Sequence, residues 1–457
     1  MIWTNLDSVY FIGVGGIGMS ALARYFVSQG KNVAGYDRVS THLTDQLTRE
    51  GIDIHFEDRS VLIPEAFRNP ERTLVIYTPA IPESHQQLNY FRKRGFRVIK
   101  RAVALGEGFN AGRGIGVAGT HGKTSISTML AHILYNSTLG CNAFLGGISK
   151  NTGSNFYLDP ASKMIIAEAD EYDRSFLTLF PEIAVVSSMD ADHLDIYHSQ
   201  ENIRKAFESF IAQITGKGKL IQKFGLAPEV PDHIERYTYS VENTQADYHT
   251  RSLKIRGNRT RFTLITPDMI IPAIELRIPG LLNVENALAA AAVAHQLGIA
   301  PEVIARNLSL FKGVERRFDL QFQSEERIYI DDYAHHPEEI RSFLKSVRTL
   351  FPRKKITGIF QPHLFSRTRD FADEFAKSLE MLDVLILMEI YPAREDPIPG
   401  VSSSLIFNKV NLREKYLVSW EQVLKVVVEL DPELLVTMGA GDISQFVAPI
   451  KGWLERK

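Results

Sequence analysis

Short apolar runs alternate with helical stretches along most of the chain. Residues 9–12, 31–36 and 73–77 are predicted strands, and residues 19–29 repeat apolar side chains at helical spacing. Strands that alternate with helices build a parallel sheet with helices on both of its faces. This first α/β unit is expected to end near Gly106, where a glycine-rich stretch begins.

The same alternation occurs twice more. The second cycle is predicted to contain strands at 115–118, 164–167 and 184–187 and helices at 286–297 and 302–310. The third cycle is predicted to contain strands at 328–330, 355–360, 384–388 and 434–438. Residues 228–279 alternate polar and apolar side chains with few helix signals, which predicts a β-rich excursion of the second cycle. The fold class is therefore α/β with parallel sheets.

Composition narrows the class of protein. The chain has 457 residues, 44% of them hydrophobic, which is enough for several folded domains. Its formal charge of −2 lacks the basic excess of a general nucleic-acid binder, so no nucleic-acid partner is expected. One cysteine, Cys141, excludes an intrachain disulfide, and neither a basic signal segment nor an apolar membrane span stands out. These features predict a cytoplasmic protein with no membrane partner, and they leave the oligomeric state open.

A glycine loop follows the first predicted strand. Gly13, Gly15 and Gly18 fit the pattern G-x-G-x-x-G, and Asp37 lies 19 residues after Gly18 at the end of the next strand. Glycines let the backbone approach a pyrophosphate closely, and the helix that follows offers free N–H donors. Alone this fingerprint indicates a dinucleotide such as NAD. A tight turn with no ligand is the other interpretation.

A second glycine loop follows the strand at 115–118. Gly122, Lys123 and Thr124 form the end of a phosphate-binding P-loop, in which the lysine meets β/γ-phosphates and the hydroxyl meets Mg²⁺. The strict pattern requires glycine five residues before Gly122, where this chain has Val117, so the loop is a variant. Two phosphate loops on successive α/β units predict two nucleotides, one hydrolysed and one carried on the substrate.

Acidic segments follow the next strands. Residues 168–173 carry four acids at the end of a strand, where Mg²⁺ needs a carboxylate, and residues 190–195 place His193 among three aspartates. Residues 315–319 and 331–337 hold further charged side chains, among them Arg317, which could neutralise a phosphoryl group across a domain cleft. Solvated acidic loops, a structural histidine and a structural ion pair are the plainer alternatives.

Taken together these motifs resemble the Mur ligases, the ATP-dependent amide ligases that build the peptide stem of peptidoglycan. The resemblance covers nearly the whole chain in the right order. It rests on residues 11–20, 119–125, 168–173, 190–195, 283–288, 316–319, 331–337, 361–370 and 439–442. The N-terminal glycine loop and the segments at 331–337 and 361–370 favour the branch that adds L-alanine to UDP-N-acetylmuramate.

The resemblance implies three domains: a Rossmann-like UDP-binding domain at 1–106, a P-loop ATPase domain at 107–311 and a Rossmann-like amino-acid-binding domain at 312–457. It implies ATP as co-substrate and two Mg²⁺ ions. The residues implied for UDP-substrate binding are Gly13, Gly15, Gly16, Gly18, Met19, Ser20 and Asp37. Those implied for ATP binding are Gly119, Thr120, His121, Gly122, Lys123, Thr124, Ser125, Asn283, Asn286, Arg317 and Asp332.

The resemblance also implies roles in metal binding and catalysis. Thr124 and Glu168 would hold one Mg²⁺, and Glu168 and His193 the second. His363 and Arg367 would face the substrate carboxylate and the amino acid. The residues expected to act in catalysis are Lys123, Arg317, His335 and His336. The family commonly has Gly-x-His-Asn before the adenine-contacting helix, whereas this chain has Leu282 in place of the histidine.

The expected reaction activates a carboxylate. Transfer of the γ-phosphoryl group gives an acyl phosphate, which the amine then attacks, with charge stabilised by Lys123, Arg317 and Mg²⁺. His335, His336 or His363 could take the proton of the amine, and the sequence leaves the choice open. Competing hypotheses are a recycling ligase that adds a tripeptide to the same sugar nucleotide, an NAD-dependent dehydrogenase and a non-catalytic nucleotide-binding regulator.

Overall fold

The protein divides into two compact units. A computed structural model describes residues 3, 5–190, 197, 199–256, 259–393 and 395–457, without the side chains of residues 173 and 256. The first unit comprises Met1–Ile255, Arg261–Arg277 and Asn283–Lys312. The second comprises Arg256–Thr260, Ile278–Leu282 and Gly313–Lys457. No helix in the described part of the chain is long and apolar enough to cross a bilayer.

The first unit opens with a parallel sheet whose five strands, among the described residues, run in the order β3-β2-β1-β4-β5. The strands are β1 (Ser8–Ile12), β2 (Asn32–Tyr36), β3 (Asp53–His55), β4 (Thr73–Tyr77) and β5 (Arg97–Lys100). The helices are α1 (Ile17–Ser28), α2 (His42–Arg49), α3 (Gln86–Lys93) and α4 (Arg101–Phe109). Strand β1 is buried along its whole length. Because strand order reverses beside β1, the first glycine loop lies where such sheets bind ligands.

The second sheet of this unit runs, within the described ranges, in the order β15-β14-β13-β12-β11-β10-β6-β9-β7-β8. Its strands are β6 (Arg113–Ala118), β7 (Asn142–Ser149), β8 (Ser154–Tyr157), β9 (Met164–Ala169), β10 (Ile183–Val186), β11 (Lys219–Lys223), β12 (Glu235–Ser240), β13 (Tyr248–Arg256), β14 (Arg259–Ile265) and β15 (Ile270–Leu276). Its helices are α5 (Lys123–Tyr135), α6 (Gln200–Ala212), α7 (Leu281–Gln296) and α8 (Pro301–Leu310). Strand β6 pairs in parallel with β9 and β10, so the carboxyl ends of all three strands meet at the P-loop.

One feature of this unit was not predicted, and one expectation needs correction. Helix α4 runs through Gly106 and Gly108, within the glycine-rich stretch. A Cβ on Gly106 would lie 2.8 Å from the carbonyl oxygen of Thr178, so glycine is needed for close packing of the helix. Helix α7 starts at Leu281, not at residue 286, and therefore carries both Asn283 and Asn286 one turn apart.

The predicted β-rich excursion is confirmed, and it extends the second sheet. Strand β12 pairs in parallel with β11, and β13 pairs in parallel with β12. Strands β14 and β15 then add at the edge. Alternate positions of β14 are buried and exposed, as expected for a sheet with one solvated face.

The second unit contains a sheet with the order β16-β17-β21-β18-β19-β20 in its described residues. Its strands are β16 (Asp319–Gln323), β17 (Ile328–Asp332), β18 (Ile356–Phe360), β19 (Val384–Met388), β20 (Glu414–Val418) and β21 (Leu434–Met438). Its helices are α9 (Pro337–Leu350), α10 (Phe365–Asp370), α11 (Ala372–Leu379), α12 (Ser404–Lys409), α13 (Val423–Leu430) and α14 (Val447–Glu455). Strand β16 is an antiparallel edge strand and the recorded pairs among the others are parallel, which confirms a third α/β sheet.

Candidate active site

The P-loop joins β6 to α5 through glycines in backbone conformations that disfavour other residues. Gly119 has φ +136° and Gly122 has φ +83°, and a Cβ on Gly119 would collide with the Ser187 hydroxyl. Ser188, which follows β10, stabilises the loop through hydrogen bonds. Its hydroxyl is hydrogen-bonded to Thr120 at 2.8 Å and accepts from the His121 N–H at 2.9 Å. The loop thus presents the N-terminus of α5, a ready site for phosphate.

Lys123, the first residue of α5, is held by a carboxylate. Its Nζ donates to Glu171 at 2.7 and 2.8 Å and to the Gly119 carbonyl at 2.8 Å. Burial lowers the pKa of Lys123, but the charges of Glu171, Asp170 and Glu168 outweigh it and raise the pKa to about 12. The ammonium therefore stays charged at neutral pH, as a phosphate-binding lysine must.

Thr124 and Glu168 lie together at the carboxyl ends of β6 and β9. The Thr124 hydroxyl donates to Glu168 at 3.1 Å, and the other carboxylate oxygen accepts from Ser127 at 3.3 Å and from the Gly146 N–H at 2.5 Å. A carboxylate beside a hydroxyl is a hard-oxygen donor set that suits Mg²⁺. The third predicted ligand, His193, lies outside the described residues, among which no cluster of three His, Cys, Asp or Glu side chains suitable for a metal occurs.

Helix α7 brings Asn286, one of the two predicted adenine-contacting asparagines, to the P-loop. A Cβ on Gly122 would lie 2.8 Å from the amide oxygen of Asn286, so this side chain packs directly on the loop. Asn283 is buried one turn earlier on the same helix. The structure therefore places Asn286 close to Lys123 and Thr124, which neighbour Gly122 in the chain.

The first glycine loop lies between β1 and α1. The Gly15 N–H donates to the Asp37 carboxylate at 2.7 Å, so the two parts of the predicted fingerprint are in contact. A Cβ on Gly18 would lie 3.0 Å from the guanidinium of Arg101, which places a cation beside the start of α1. Met19 and Ser20 are buried in α1 and not exposed on the loop.

Helix α1, which starts at the first glycine loop, is tied to strand β8 of the second sheet by a buried polar contact within the first unit. The Asn155 amide, on β8, donates to the Ser20 hydroxyl at 2.9 Å and to the Ile17 carbonyl, and it accepts from Arg24. Asn155 has no exposed surface. This contact fixes α1, which starts at the first loop, against the sheet that carries the P-loop.

In the second unit, Asp332 ends strand β17 and organises the loop that carries Arg317. Its carboxylate accepts from the Phe318 N–H at 2.6 Å and from the Ala334 N–H at 2.8 Å. Burial raises the pKa of Asp332 to about 6, against the opposing charge of Arg317. The Arg317 guanidinium lies 5.2 Å from the centre of the Tyr333 ring.

Two of the predicted histidines, His335 and His363, form one cluster with Arg367 in the second unit. The His335 ring packs edge-on against His363 with centroids 5.7 Å apart, and Arg367 lies 3.4 Å from Nδ1 of His363. Nδ1 of His335 is 3.1 Å from the Glu339 carboxylate. The His336 ring packs against the Phe371 ring, with centroids 5.0 Å apart.

Three family models match the chain in sequence order. The Mur ligase family catalytic domain matches residues 8–113, the Mur ligase middle domain residues 117–294, and the Mur ligase glutamate ligase domain residues 316–441. A UDP-N-acetylmuramate–L-alanine ligase of Parabacteroides distasonis is 50% identical over 98% of this chain and 97% of its own length. The chain belongs to the Mur ligase family.

Further relatives of this Mur ligase are also similar to it over nearly the whole chain. A UDP-N-acetylmuramate–L-alanine ligase of Phocaeicola vulgatus is 48% identical over 99% of each chain. Among solved structures, the UDP-N-acetylmuramate–alanine ligase of Thermotoga maritima is 26% identical with a TM-score of 0.81, and the match covers 98% of this chain and 100% of that chain. The three-domain α/β architecture expected from the sequence is therefore confirmed.

Several residues of this Mur ligase site are visible only in the folded chain. Glu171 lies within the acidic segment flagged in the sequence, but nothing there marks it as the partner of Lys123. Ser188, Arg101, Asn155 and Glu339 sit in no motif. The first three are brought to their places by strand pairing or helix packing between distant segments, for which a single sequence carries no direct signal, and Glu339 by the cap at the start of α9.

Proposed function

We propose that this chain joins L-alanine to the carboxylate of UDP-N-acetylmuramate, with ATP converted to ADP and phosphate, in cytoplasmic peptidoglycan precursor synthesis. Similarity to ligases of that name over nearly the whole chain carries the proposal. The work is divided among domains at residues 1–106, 107–311 and 312–457, which bind the UDP substrate, ATP and the amino acid.

The P-loop is proposed to bind ATP. The N–H groups at the start of α5 and the Lys123 ammonium would bind the β- and γ-phosphates, while Asn286 on α7 packs beside the loop. To reach a phosphate, Lys123 must turn at least one hydrogen away from Glu171 or Gly119, because those groups occupy all three of its donors. Before ATP binds, Glu171 keeps the Lys123 ammonium charged and oriented beside the P-loop.

Thr124, Glu168 and His193 are proposed to hold two Mg²⁺ ions, with Glu168 shared. The ions would neutralise charge on the transferring phosphoryl group. The chain's own contribution is orientation: hydrogen bonds from Ser127 and Gly146 fix one Glu168 oxygen, and Thr124 contacts the other. Arg317 is proposed to add a positive charge toward the same phosphoryl group.

The first glycine loop is proposed to hold the diphosphate of the sugar nucleotide. Gly13 (φ +89°) and the contact between Gly15 and Asp37 shape the turn, and Arg101 supplies a cation beside Gly18. His363 and Arg367 are proposed to bind the amino acid, because a guanidinium pairs well with its carboxylate.

Release of phosphate from ATP tests this proposal. The full-length chain is mixed with ATP, MgCl₂ and UDP-N-acetylmuramate, and each amino acid is offered in turn. L-alanine should be best. Glycine and L-serine should be poor but measurable, since one methyl or hydroxyl group in an apolar pocket changes binding by only about 1–3 kcal/mol. D-glutamate and diaminopimelate should be inert.

Three other outcomes would replace the proposal. Efficient use of the intact tripeptide instead of L-alanine would identify a recycling ligase. Binding of NAD without binding of the UDP-sugar would instead identify a dehydrogenase. ATP binding without phosphate release under any of these conditions would indicate a non-catalytic regulator.

A further inference from the structure

Glu339 contacts both the backbone and the ring of His335. It is the third residue of helix α9, and its side chain is 20% exposed. One carboxylate oxygen accepts from the His335 N–H at 2.9 Å and the His336 N–H at 3.1 Å. The same oxygen is 3.1 Å from Nδ1 of the His335 ring. Glu339 therefore caps the helix and orients the imidazole that precedes it.

The three histidine rings of this region have different neighbours. Nδ1 of His335 lies 3.1 Å from the Glu339 carboxylate. Nδ1 of His363 lies 3.4 Å from the Arg367 guanidinium. The His336 ring packs on the Phe371 ring. A base becomes positively charged when it takes a proton from an amine, and the Glu339 carboxylate beside the His335 ring is placed to stabilise that charge.

Tyr333 also lies beside the His335 ring, and the neighbours of Glu339 keep its carboxylate ionised. Tyr333 contributes its carbonyl, 3.1 Å from Nδ1 of His335, and its ring faces the imidazole. Burial alone would raise the pKa of Glu339, but His335 and then Arg317 outweigh burial and hold the pKa well below its usual value. With Nδ1 held by Glu339 and the Tyr333 carbonyl, the described residues provide no partner for Nε2, the atom left to meet substrate.

We propose that His335 is the base that deprotonates the attacking amine and that Glu339 is the positioning residue that orients His335 and stabilises its protonated form. This deepens the proposed ligase function and rests on it. It also places the base beside His363 and Arg367, the residues proposed to bind the amino acid, since the two imidazole rings touch.

L-alanine arrives as an ammonium ion, and Nε2 of His335 takes one proton from it. The freed nitrogen lone pair attacks the acyl phosphate carbon and forms a C–N bond. The tetrahedral intermediate collapses as the C–O bond to the phosphoryl group breaks, and that electron pair leaves with phosphate. The second nitrogen proton departs with phosphate or solvent, and His335 returns its proton to solvent.

The decisive variant is Glu339→Gln. The glutamine oxygen can still accept from the two backbone N–H groups, so the helix cap is kept while the negative charge beside His335 is lost. The matched control is Glu338→Gln, one residue earlier on the same helix. Glu338 is exposed and forms an ion pair with Arg341 at 2.8 Å on the surface.

The measurement is kcat/KM for L-alanine from neutral to alkaline pH, with ATP and UDP-N-acetylmuramate saturating. Glu339→Gln should lower it about 10- to 100-fold at neutral pH, a typical effect for a residue that supports a catalytic group. The loss should shrink at alkaline pH, where L-alanine is itself unprotonated and needs no base. The KM for ATP and the control variant should stay at wild-type values.

A second pair of variants keeps the test informative if Glu339→Gln folds poorly. His335→Gln should show the same loss and the same recovery at alkaline pH, and the double variant should lose no more than His335→Gln alone, because the residues act as one unit. A loss that is equal at every pH, or a matching rise in the KM for ATP, would show a merely structural role and overturn the inference. Wild-type protein without L-alanine-dependent turnover would instead overturn the proposed function and this inference with it.

Discussion

The ammonium of Lys123 lies within 2.8 Å of both carboxylate oxygens of Glu171, and the Glu171 side chain is only 2% exposed. The pair joins the first residue of α5 to the segment that follows β9, 48 positions along the chain. Lys123 therefore has a structural partner in addition to its proposed role in phosphate binding.

This pairing predicts that stability and activity can be separated. Lys123→Met should lower the free energy of unfolding by about 3–5 kcal/mol, because it leaves a buried carboxylate without its partner. Lys123→Met combined with Glu171→Gln should recover most of that loss, since no unpaired charge remains. Both should release phosphate at least about 100-fold more slowly than wild type. Urea unfolding and the phosphate assay check the two effects; a double variant that regains turnover would remove Lys123 from the ATP site.

The proposed metal site predicts how strongly substitutions of its ligands at the ends of β6 and β9 lower kcat. Glu168→Ala should lower kcat about 100-fold or more and Thr124→Ala about 10-fold, because a charged shared ligand contributes more than a neutral hydroxyl. Ser127→Ala should have a smaller effect than either, because it removes one hydrogen bond to Glu168 but no proposed ligand. His193→Ala should raise the Mg²⁺ concentration needed for half-maximal rate. If His193→Ala has the same Mg²⁺ dependence as wild type, His193 is not a metal ligand.

Arg367 is expected to act on the amino acid and not on ATP. Arg367→Lys removes the planar fork that pairs with a carboxylate, so the KM for L-alanine should rise about 10-fold or more while the KM for ATP stays constant. Arg369→Lys is the matched control on the same short helix, because Arg369 is exposed and pairs with Asp370. Equal increases in both KM values for Arg367→Lys would place it outside the amino-acid pocket.

A buried histidine on α5 predicts a loss of stability in acid. Burial lowers the pKa of His132 to about 4, and its Nε2 lacks a hydrogen-bond partner in the described part of the chain. The unfolded chain binds this proton near pH 6.5 but the folded chain only near pH 4. The free energy of unfolding should therefore fall as pH drops through that window, with His132 contributing at most about 3 kcal/mol.

The check on this prediction is the slope of unfolding free energy against pH. His132→Gln should make the slope between pH 6.5 and pH 4 shallower than in wild type. His233→Gln, at an exposed position, should leave the slope unchanged. Identical slopes for wild type and His132→Gln would contradict a buried neutral histidine.

Local pattern alone determined the three α/β sheets and the positions of both glycine loops. The strands at 73–77 and 384–388 were predicted to the residue, because short β-branched runs bounded by turn residues admit few other structures. The contact between Gly15 and Asp37 was also foreseeable, since adjacent parallel strands bring their carboxyl ends together. The sequence alone predicts these features because each depends on a short stretch of neighbouring residues.

Tertiary structure decided how the chemical groups are paired. That Glu171 binds Lys123, and that Glu339 and not another carboxylate meets His335, follows from which strands are adjacent and how each helix is capped. The course of α4 through Gly106 was missed for the same reason, because glycine reads as a helix breaker until the packing against Thr178 is known. Such partners lie far apart in sequence or depend on side-chain direction, and their energies arise only when folding brings them out of water.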